Sequence, residues 1–462
     1  MSTKPATHNQ TKHWQALDAA HHIHPFTETQ ALNKKGVRVI TRADGIYLWD
    51  SEGNRLIDGM SGLWCVNVGY GRTELAEAAY EAMKELPYYN AFFQTTHPYA
   101  TELAAKIASL LPGGLNRILF ANSGSEANDT ALKLIRYYWN LQGKKQKKIH
   151  ISREYAYHGV TMAAASLSGI TSMHPQWDLP LPGFEKVPTV YWYGFGGDKD
   201  PNAYGLEVAR KLEEKILELG PDRVGSFSAE PVHGAGGLMF PPDSYWPEIQ
   251  RICKKYDVLL HLDEVITGFG RTGRWFGAQT FGIAPDIMTL AKGISSGYQP
   301  ISAIALGPRV GEAIATANEE LVHGFTWSGH PVACAVSLKN LEIIEREKLV
   351  ERVHDDIGPY FQAKIRALTT HPLVGEVRGI GLLGAIELVK DKTNRTFFPR
   401  DIDVGTICRN HCFANGLVMR AIRDTMVLAP PMIVKREQVD DIVRLARKCF
   451  DLTAHDLGIS TG

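Results

Sequence analysis

A lysine and an aspartate that each end an apolar segment could together perform covalent chemistry on a small molecule. Lys292 directly follows the apolar run 287–291, and Asp263 ends the apolar run 258–262. A lysine at a strand end is usually exposed, but burial and nearby positive charge would lower its pKa and make its amine a nucleophile toward an aldehyde. A carboxylate at the end of a buried strand needs a partner, and a protonated ring nitrogen would be one, although a turn-capping role fits Asp263 equally well.

A third group lies between a predicted strand and a predicted helix. Ser123, Gly124 and Ser125 follow the short run 117–121 and precede a segment of helical spacing. Free N–H groups at a helix start attract anions, and glycine lets the backbone approach a phosphate, although an isolated segment of this kind is more often an ordinary serine cap. In combination, the three groups supply a phosphate cradle, a pyridinium partner and a Schiff-base lysine. That set is the one that pyridoxal 5′-phosphate (PLP) requires.

These groups require a fold that brings the ends of several strands to one place. Apolar runs of strand length alternate with segments of helical spacing along much of the chain. The predicted strands are 117–121, 148–152, 224–229, 258–263 and 287–290, and the predicted helices include 73–86, 100–111, 126–140, 203–219 and 245–256. This alternation predicts an α/β fold with a mainly parallel sheet. Ligands bind beyond the carboxyl ends of the strands in such sheets, which is where the three groups lie.

The pattern changes near residue 331. After this point come two long helical stretches to about residue 368, a glycine-containing strand pattern at 374–388, a helix, short strands around Val418 and Val427, and a charged helix from Lys435. We therefore expect a large PLP-binding domain at 73–330 and a smaller α+β domain at 331–462. The N-terminal segment, 1–72, is expected to join the small domain and the active-site entrance.

The composition excludes several classes of function. The 462-residue chain carries 50 lysines and arginines against 50 aspartates and glutamates, so no overall field would attract nucleic acid or an anionic membrane. No apolar run approaches the roughly 20 residues that span a bilayer, and Met1–Lys12 lacks the apolar stretch of a signal peptide. The six cysteines are scattered, as in proteins of reducing compartments. We expect a cytoplasmic protein with small-molecule substrates and no nucleic-acid or membrane partner.

Residue types that bind metals occur in two groups, which are Cys408, His411 and Cys412 on one predicted helix, and His21, His22 and His24 near the N-terminus. A structural zinc site usually needs four ligands in two separated pairs, and no second pair lies near the cysteine group. We predict that the cysteines pack in the interior, that the histidines are solvated or hydrogen-bonded, and that no metal is bound.

Over nearly its whole length the chain resembles the class III (ω) aminotransferases of PLP fold type I. The matching stretches are residues 62–71, 123–128, 157–159, 229–231, 263–273 and 323–331. The stretch at 263–273 and its spacing to Lys292 are the most specific, and the likeness is greatest to the amine–pyruvate and putrescine–pyruvate members. The resemblance implies a large domain with a mainly parallel sheet and a smaller α+β domain formed from both ends of the chain.

The resemblance also assigns roles to individual residues. Lys292 would form the Schiff base and shuttle a proton, while Asp263 would pair with the pyridine nitrogen. The other cofactor contacts would be Gly124 and Ser125 at the phosphate, Tyr157 and Val265 on the two ring faces, His158 next to Tyr157, Glu230 in the polar network below the ring, and Thr326 from a neighbouring subunit. Shared sites of this kind imply a homodimer, or a tetramer of two such dimers. His233 departs from the family pattern, and we interpret it as a change in the polar network rather than a catalytic base.

Amine aminotransferases must accept an amine in one half-reaction and a keto acid in the other. Arg420 matches the mobile arginine of the family, which pairs with the acceptor carboxylate and swings away for an amine, and Arg423 is the weaker candidate. Trp64, Phe26 and Phe92 match positions that line the amine pocket, although plain core packing competes with that role. We expect amino transfer from a primary amine or diamine, such as putrescine or an arylalkyl amine, to pyruvate, giving an aldehyde or ketone and alanine.

Three alternatives stay open at this point. They are a decarboxylating class III aminotransferase, an aminotransferase for ω-amino acids or a biotin-pathway intermediate, and a catalytically silent PLP-binding protein. Release of carbon dioxide would identify the first, and the pocket aromatics argue weakly against the second. Retention of Lys292, Asp263 and Thr326 argues against the third.

Overall fold

The computed structural model describes residues 8–460 of the chain. Within these residues the β-strands are β1 (Ile40–Asp44), β2 (Tyr47–Asp50), β3 (Arg55–Asp58), β4 (Arg117–Ala121), β5 (Ile149–Arg153), β6 (Phe184–Val187), β7 (Val224–Ala229), β8 (Leu259–Asp263), β9 (Ile287–Leu290), β10 (Ser302–Leu306), β11 (Val374–Ile380), β12 (Leu383–Leu388), β13 (Leu417–Val418), β14 (Arg420–Ile422) and β15 (Thr425–Leu428).

The α-helices of residues 8–460 are α1 (His8–His21), α2 (Thr29–Lys35), α3 (Ser61–Trp64), α4 (Thr73–Glu85), α5 (Pro98–Leu110), α6 (Gly124–Leu141), α7 (Met162–Leu167), α8 (Trp192–Phe195), α9 (Pro201–Leu219), α10 (Tyr245–Lys255), α11 (Gly277–Phe281), α12 (Pro308–Ala315), α13 (Pro331–Arg346), α14 (Leu349–Asp355), α15 (Ile357–Arg366), α16 (Val404–Ala414) and α17 (Arg436–Asp456). Short 3₁₀ turns occur at Thr171–Met173, Pro175–Trp177, Lys292–Ile294 and Ala367–Thr370. Each helix of this described part is too short or too polar to span a bilayer.

Seven strands form the central sheet, in the order β4-β10-β9-β8-β7-β5-β6. Strands β5 to β9 run parallel to one another, whereas β10 is antiparallel to both of its neighbours, β9 and β4. Strands β7, β8 and β9 are buried along their whole length, as is usual for parallel strands that are covered on both faces. The prediction of an α/β fold with a mainly parallel sheet is confirmed.

Apolar clusters cover both faces of the central sheet. On one face, Trp139 of α6 belongs to a cluster with Leu259 of β8 and Val310 of α12. The indole Nε1 of Trp139 donates a hydrogen bond to the carbonyl of Gly225 at 2.9 Å. Leu260 follows Leu259 on β8 and therefore points to the other face, where it joins the larger cluster. Helix α6 is thus anchored on the sheet that carries the predicted catalytic residues.

Two smaller sheets involve the two ends of the chain. Strands β1, β2 and β3 form a sheet with β13 of the C-terminal region, and β13 runs parallel to β3 with Leu417 opposite Ile57. Strands β11, β12, β15 and β14 form the third sheet. The smaller α+β part is therefore built from both ends of the chain, as the fold prediction states. The division into 1–72, 73–330 and 331–462 stays a prediction.

Several elements differ from the expectations drawn from the sequence. The two long helical stretches expected after residue 331 are three helices, α13 to α15, because the backbone leaves the helical region at Lys348 and Asp356, whose φ values are 49° and −125°. The single strand pattern at 374–388 is a hairpin that turns at Gly381, where a φ of 54° favours glycine. The sequence patterns do not predict strands β1 to β3, β6 and β10.

The cysteine group packs in the interior, as predicted. Cys408 and Cys412 of α16 are fully buried, and Sγ of Cys412 lies 3.8 Å from Sδ of Met419. His411 instead places its Nε2 2.7 Å from Oδ2 of Asp456. The cysteines and the histidine of this helix therefore have separate partners.

We expect Trp139→Ala to lower the free energy of unfolding by about 3–5 kcal/mol, because it removes a fully buried indole and its hydrogen bond. The measurement is the shift in thermal unfolding temperature of the holoenzyme, with Leu217→Ala on α9 as the control. Leu217 is 56% exposed, so the control should change little. Equal unfolding temperatures for the two variants would contradict the anchoring role of Trp139.

Candidate active site

The N-terminus of α6 forms one end of the site. Ser123 caps this helix, since its Oγ accepts the N–H of Glu126 at 3.2 Å and Glu126 accepts the N–H of Ser123 at 3.2 Å. The first amides of a helix have no intrahelical acceptor, so the N–H groups of Gly124 and Ser125 are available to an anion. A Cβ at position 124 would lie 3.2 Å from Cγ2 of Val265, so a side chain there would crowd the opposite wall. The serine cap and the anion site therefore coexist.

Asp263 is buried at the carboxyl end of β8. Its Oδ2 accepts hydrogen bonds from Nδ1 of His158 and Nδ2 of Asn128, both at 2.8 Å, and its Oδ1 accepts the N–H of Val265 at 3.1 Å. Burial by itself raises the pKa of this carboxyl, but the hydrogen bonds from His158 and Asn128 outweigh burial, and the pKa lies below its ordinary value. Asp263 is therefore an ionised carboxylate in the interior, suited to keep a proton on a ring nitrogen.

Lys292 begins the 3₁₀ turn that follows β9. Its φ of 47° lies in the left-handed region, which is uncommon for residues with side chains and concentrated at functional sites. The turn is fixed by Asn340 of α13, whose Nδ2 donates to the carbonyls of Gly293 at 2.9 Å and Ile294 at 3.0 Å. Burial lowers the pKa of the Lys292 amine, although the nearby Asp263 carboxylate opposes the shift. The amine is therefore a better nucleophile than that of a surface lysine.

The strand ends meet around a cavity of about 370 Å³. Eight of the predicted cofactor contacts line it, namely Gly124, Ser125, Tyr157, His158, Glu230, Asp263, Val265 and Lys292. The wall also includes residues just before β10 that the sequence patterns did not single out, namely Ser295, Gln299, Pro300 and Ile301. The helix amides, the carboxylate and the amine thus face the same space.

Glu230 adds a second buried carboxyl to the wall. Its Oε1 accepts the N–H of Tyr157 at 3.2 Å, its Oε2 accepts the N–H of Gly234 at 2.7 Å, and burial raises its pKa. His233 lies near this carboxyl in sequence but not in the cavity wall. The Nε2 of His233 donates to the carbonyl of Glu154 at 3.2 Å, and burial holds the pKa of His233 well below its ordinary value. This placement favours our interpretation that His233 is not a catalytic base.

Trp64 and Arg420, two of the predicted substrate contacts, lie against each other. The guanidinium carbon of Arg420 is 4.7 Å from the centre of the Trp64 ring, which is a cation–π contact. Asp58 shapes the turn before Trp64, since its carboxylate accepts the N–H of Met60 at 2.9 Å and that of Gly62 at 2.6 Å. Trp64 itself has a φ of 60°, so these hydrogen bonds support a backbone conformation that is costly for tryptophan.

Arg420 and Arg423 differ in how firmly they are held. Arg423 lies 4.5 Å from the ring centre of Tyr155 and donates through Nη2 to the carbonyl of Gly236 at 2.9 Å. Among residues 8–460, the guanidinium of Arg420 has neither a hydrogen-bond acceptor nor a carboxylate partner. Burial lowers the pKa of Arg420, whereas Tyr157 of the cavity wall opposes the shift. Arg420 is therefore the cation near the cavity that is free to change partners.

Trp64 and Arg420 are not among the residues that line the cavity, and neither are the other three predicted contacts, Phe26, Phe92 and Thr326. Phe26 is 77% exposed, Thr326 is exposed and Phe92 is half-buried. The hydroxyl of Tyr88 donates to the carbonyl of Thr326 at 2.8 Å, which joins the segment that contains Phe92 to the segment that contains Thr326. The roles of these three residues stay predictions.

Asn128 is the principal polar residue of the site to which the sequence patterns gave no role. Its Nδ2 donates to Asp263 at 2.8 Å and to the carbonyl of His158 at 2.6 Å, while its Oδ1 accepts the hydroxyl of Thr289 at 2.9 Å. The sequence feature that could have identified Asn128 is its position one helical turn after Gly124, on a face of α6 that is otherwise apolar.

Comparison with known proteins decides the family. The family described as Aminotransferase class-III matches residues 29–450. The chain belongs to the class-III aminotransferases. It is 52% identical over 448 residues to the putrescine–pyruvate aminotransferase of Pseudomonas aeruginosa, covering 97% of this chain and 98% of that protein. It is also 41% identical over 434 residues to the diaminobutyrate–2-oxoglutarate transaminase of Halomonas elongata, covering 92% of each chain.

Solved structures of omega transaminases have the same fold as this class-III aminotransferase. The enzyme from Pseudomonas jessenii, solved in complex with PMP, superimposes with a TM-score of 0.94 at 42% identity, over 96% of this chain and 99% of that one. The (S)-enantioselective enzyme from Thermomicrobium roseum superimposes with a TM-score of 0.93 at 41% identity, over 96% of this chain and 98% of that one. The family, the enzyme class and the fold predicted from the sequence are confirmed.

The cofactor of this class-III aminotransferase is PLP, and the cavity fits it. The free amides at Gly124 and Ser125 would hold the phosphate at the start of α6. The ionised Asp263 would meet the ring nitrogen, and Val265 would contact one face of the ring. Lys292 supplies the only amine among the residues that line the cavity, and it is the residue that would hold the cofactor covalently.

For Asp263→Asn we expect turnover to fall about a hundredfold or more while the cofactor remains bound, because the amide keeps the shape but loses the charge that retains the ring proton. Steady-state turnover and the visible absorbance of the purified enzyme measure the two effects. Glu312→Gln, which removes a carboxylate from an exposed ion pair with Arg117, is the control. Unchanged turnover in Asp263→Asn would exclude the proposed charge role.

Proposed function

We infer that the protein transfers an amino group from a primary amine or diamine to pyruvate, giving an aldehyde or ketone and alanine. The observation that carries this inference is the half-buried Arg420, whose guanidinium lies against the Trp64 ring, interacts electrostatically with Tyr157 of the cavity wall, and has no carboxylate partner among the side chains that the structure describes. A free cation suits the carboxylate of a keto acid, and an aromatic wall suits an amine that lacks a carboxylate. The name of the Pseudomonas aeruginosa relative supports putrescine and pyruvate as the substrate classes.

Different residues of the cavity would have different roles in the reaction. PLP supplies, when bound, an aldehyde carbon and a ring that withdraws electrons. Lys292 is the residue that would hold the cofactor, and its Nζ would carry a proton to and from the substrate carbon; burial favours the neutral amine that this role needs. The ionised Asp263 would keep a proton on the ring nitrogen. The amino group would stay with the enzyme after the first product leaves and before the keto acid binds, so the reaction would be ping-pong.

Arg420 would distinguish the two substrates. With a keto acid in the site, its guanidinium would form two hydrogen bonds to the carboxylate. With an amine in the site, it would return to the face of Trp64 and leave an uncharged space. Arg423 is unsuited to this exchange, because the carbonyl of Gly236 and the ring of Tyr155 already hold it.

We propose that two copies of the chain share their active sites in a homodimer. Support comes from large apolar side chains that are exposed on the segments around Phe92 and Thr326, with Phe93 at 89%, Val322 at 84% and Trp327 at 60%. A patch of this kind on one chain indicates a surface that another protein covers. Thr326 does not line its own cavity, so it would serve the cavity of the neighbouring copy.

We also propose that the enzyme works in the cytoplasm. All six cysteines are free, and five of them are buried, which suits a reducing compartment. Fusion of a fluorescent protein to the C-terminus would locate the enzyme in its host cell.

For Lys292→Ala we expect turnover to fall by about four orders of magnitude or more, because covalent attachment and proton transfer are lost together. Steady-state assays with an amine and pyruvate measure the effect. Lys339→Ala, which removes an amine from an exposed ion pair with Glu342, is the control and should keep normal turnover. Near-normal turnover in Lys292→Ala would overturn the catalytic assignment.

For Arg420→Ala we expect the pyruvate half-reaction to slow about 10- to 100-fold, because charge-assisted hydrogen bonds to the carboxylate are lost. The amine half-reaction should change much less. Stopped-flow spectra of the PLP form with amines and of the amino form with pyruvate measure the two rates separately. Arg423→Ala is the matched control, and equal losses in both half-reactions of Arg420→Ala would show that Arg420 does not select the acceptor.

A further inference from the structure

Three side chains converge where the N-terminal helix ends. Asp18 lies in the last turn of α1, His22 follows one turn later, and His24 is two residues further along. Oδ1 of Asp18 is 3.1 Å from Nδ1 of His22 and 2.8 Å from Nε2 of His24. One nitrogen or oxygen atom from each of the three residues lies within 4.8 Å of the other two.

This arrangement has the dimensions of a metal site. Zn²⁺ binds imidazole nitrogens at about 2.0–2.1 Å and carboxylate oxygens at about 2.0–2.2 Å, so two ligands of a tetrahedral ion are roughly 3.3 Å apart. The two distances from Asp18 are hydrogen-bond lengths somewhat below that value, so an ion would replace these hydrogen bonds after small side-chain movements. We propose that Asp18, His22 and His24 bind a divalent transition-metal ion, with Zn²⁺ the best match to two imidazoles and one carboxylate.

A second aspartate provides an internal comparison. Asp456 also has two histidine neighbours, with Nε2 of His411 at 2.7 Å and Nδ1 of His455 at 3.6 Å from its oxygens. One ligand atom from each of these three residues does not lie within 4.8 Å of the other two. Among the side chains of residues 10–460, the group around Asp18 is the only group of three or more that meets this distance. Contact between histidine and aspartate alone therefore does not produce the convergence seen at Asp18.

The site is open to solvent and incomplete as a closed zinc centre. The exposed fractions are 16% for the Asp18 side chain, 23% for His24 and 62% for His22, so an ion can enter from solution. Three protein ligands leave at least one coordination position to water, which is typical of exchangeable rather than structural zinc. The sequence predicts solvated or hydrogen-bonded histidines and no metal, because the histidine cluster by itself lacks the carboxylate that Asp18 supplies in the structure.

A bound ion would connect two segments of the chain. Helix α1 is attached to the rest of the protein through Thr11, whose hydroxyl donates to Oγ of Ser51 at 2.9 Å, and through Gln15, whose Nε2 donates to the carbonyl of Val37 at 2.9 Å. Beyond His24 the chain continues directly to Phe26. The metal would therefore fix the segment that carries Phe26 relative to α1, and this consequence for the amine pocket rests on the proposed function.

The test is a calorimetric titration of the PLP-loaded enzyme with Zn²⁺ after removal of metals by a chelator. We expect one Zn²⁺ per chain, with affinity reduced about tenfold or more in Asp18→Asn and in His24→Ala. His411→Ala removes a histidine from the comparison pair at Asp456 and should bind Zn²⁺ like the unmodified enzyme. X-ray absorption of the zinc complex should show two imidazole ligands.

Two results would overturn the proposed metal site. One is the lack of stoichiometric Zn²⁺ binding by the unmodified enzyme, and the other is unchanged affinity in both Asp18→Asn and His24→Ala. The KM for the amine, measured with and without Zn²⁺, tests the link to Phe26 separately. If Zn²⁺ binds as expected but leaves this KM unchanged, the metal site stands and the link to Phe26 is wrong.

Discussion

The carboxylate of Asp263 lies in the protein interior, and three hydrogen bonds from its own chain keep it ionised there. Without these donors, burial would raise its pKa and favour the neutral acid. A neutral acid could not retain a proton on a ring nitrogen by charge attraction, so the electron-withdrawing power of the cofactor depends on the donors. The two side-chain donors, His158 and Asn128, come from different elements, and the fold must bring both of them to the end of β8.

Helix α6 carries Asn128, whose Nδ2 also donates to the carbonyl of His158 at 2.6 Å, and the same helix provides the anion site. Its first amides and Asn128 are one helical turn apart, so a single rigid element fixes the spacing between the phosphate end and the ring-nitrogen end of the cavity. The cap at Ser123 sets the start of the helix, and Trp139 attaches its other end to the sheet. Lys292 comes from a different strand, and its turn is fixed independently by Asn340. The amine can therefore move without disturbing the groups that hold the cofactor.

The site residues that could be predicted from the sequence are those whose reactive side chains directly follow a predicted strand. Asp263 and Lys292 each follow an apolar run, and the end of such a run places them at the ligand-binding edge of a parallel sheet. Partners set by packing between distant segments could not be predicted in the same way. Asn128 reaches Asp263 only because α6 packs against β8 and β9. Strand β10 was not predicted either, although residues just before it line the cavity.

In the proposed reaction, the contact between Arg420 and Trp64 must be weak enough for an entering carboxylate to replace it. It must also be strong enough to form again when the carboxylate leaves. A cation–π contact contributes about 0.5–2 kcal/mol, whereas each hydrogen bond to a charged partner contributes about 1.5–3 kcal/mol. An entering carboxylate that forms two such bonds would therefore displace the ring, and its departure would let the contact form again. A carboxylate of the chain itself in place of Trp64 would compete with the keto acid for the guanidinium. An aromatic partner avoids this competition, so one cavity can alternate between an acid and an amine.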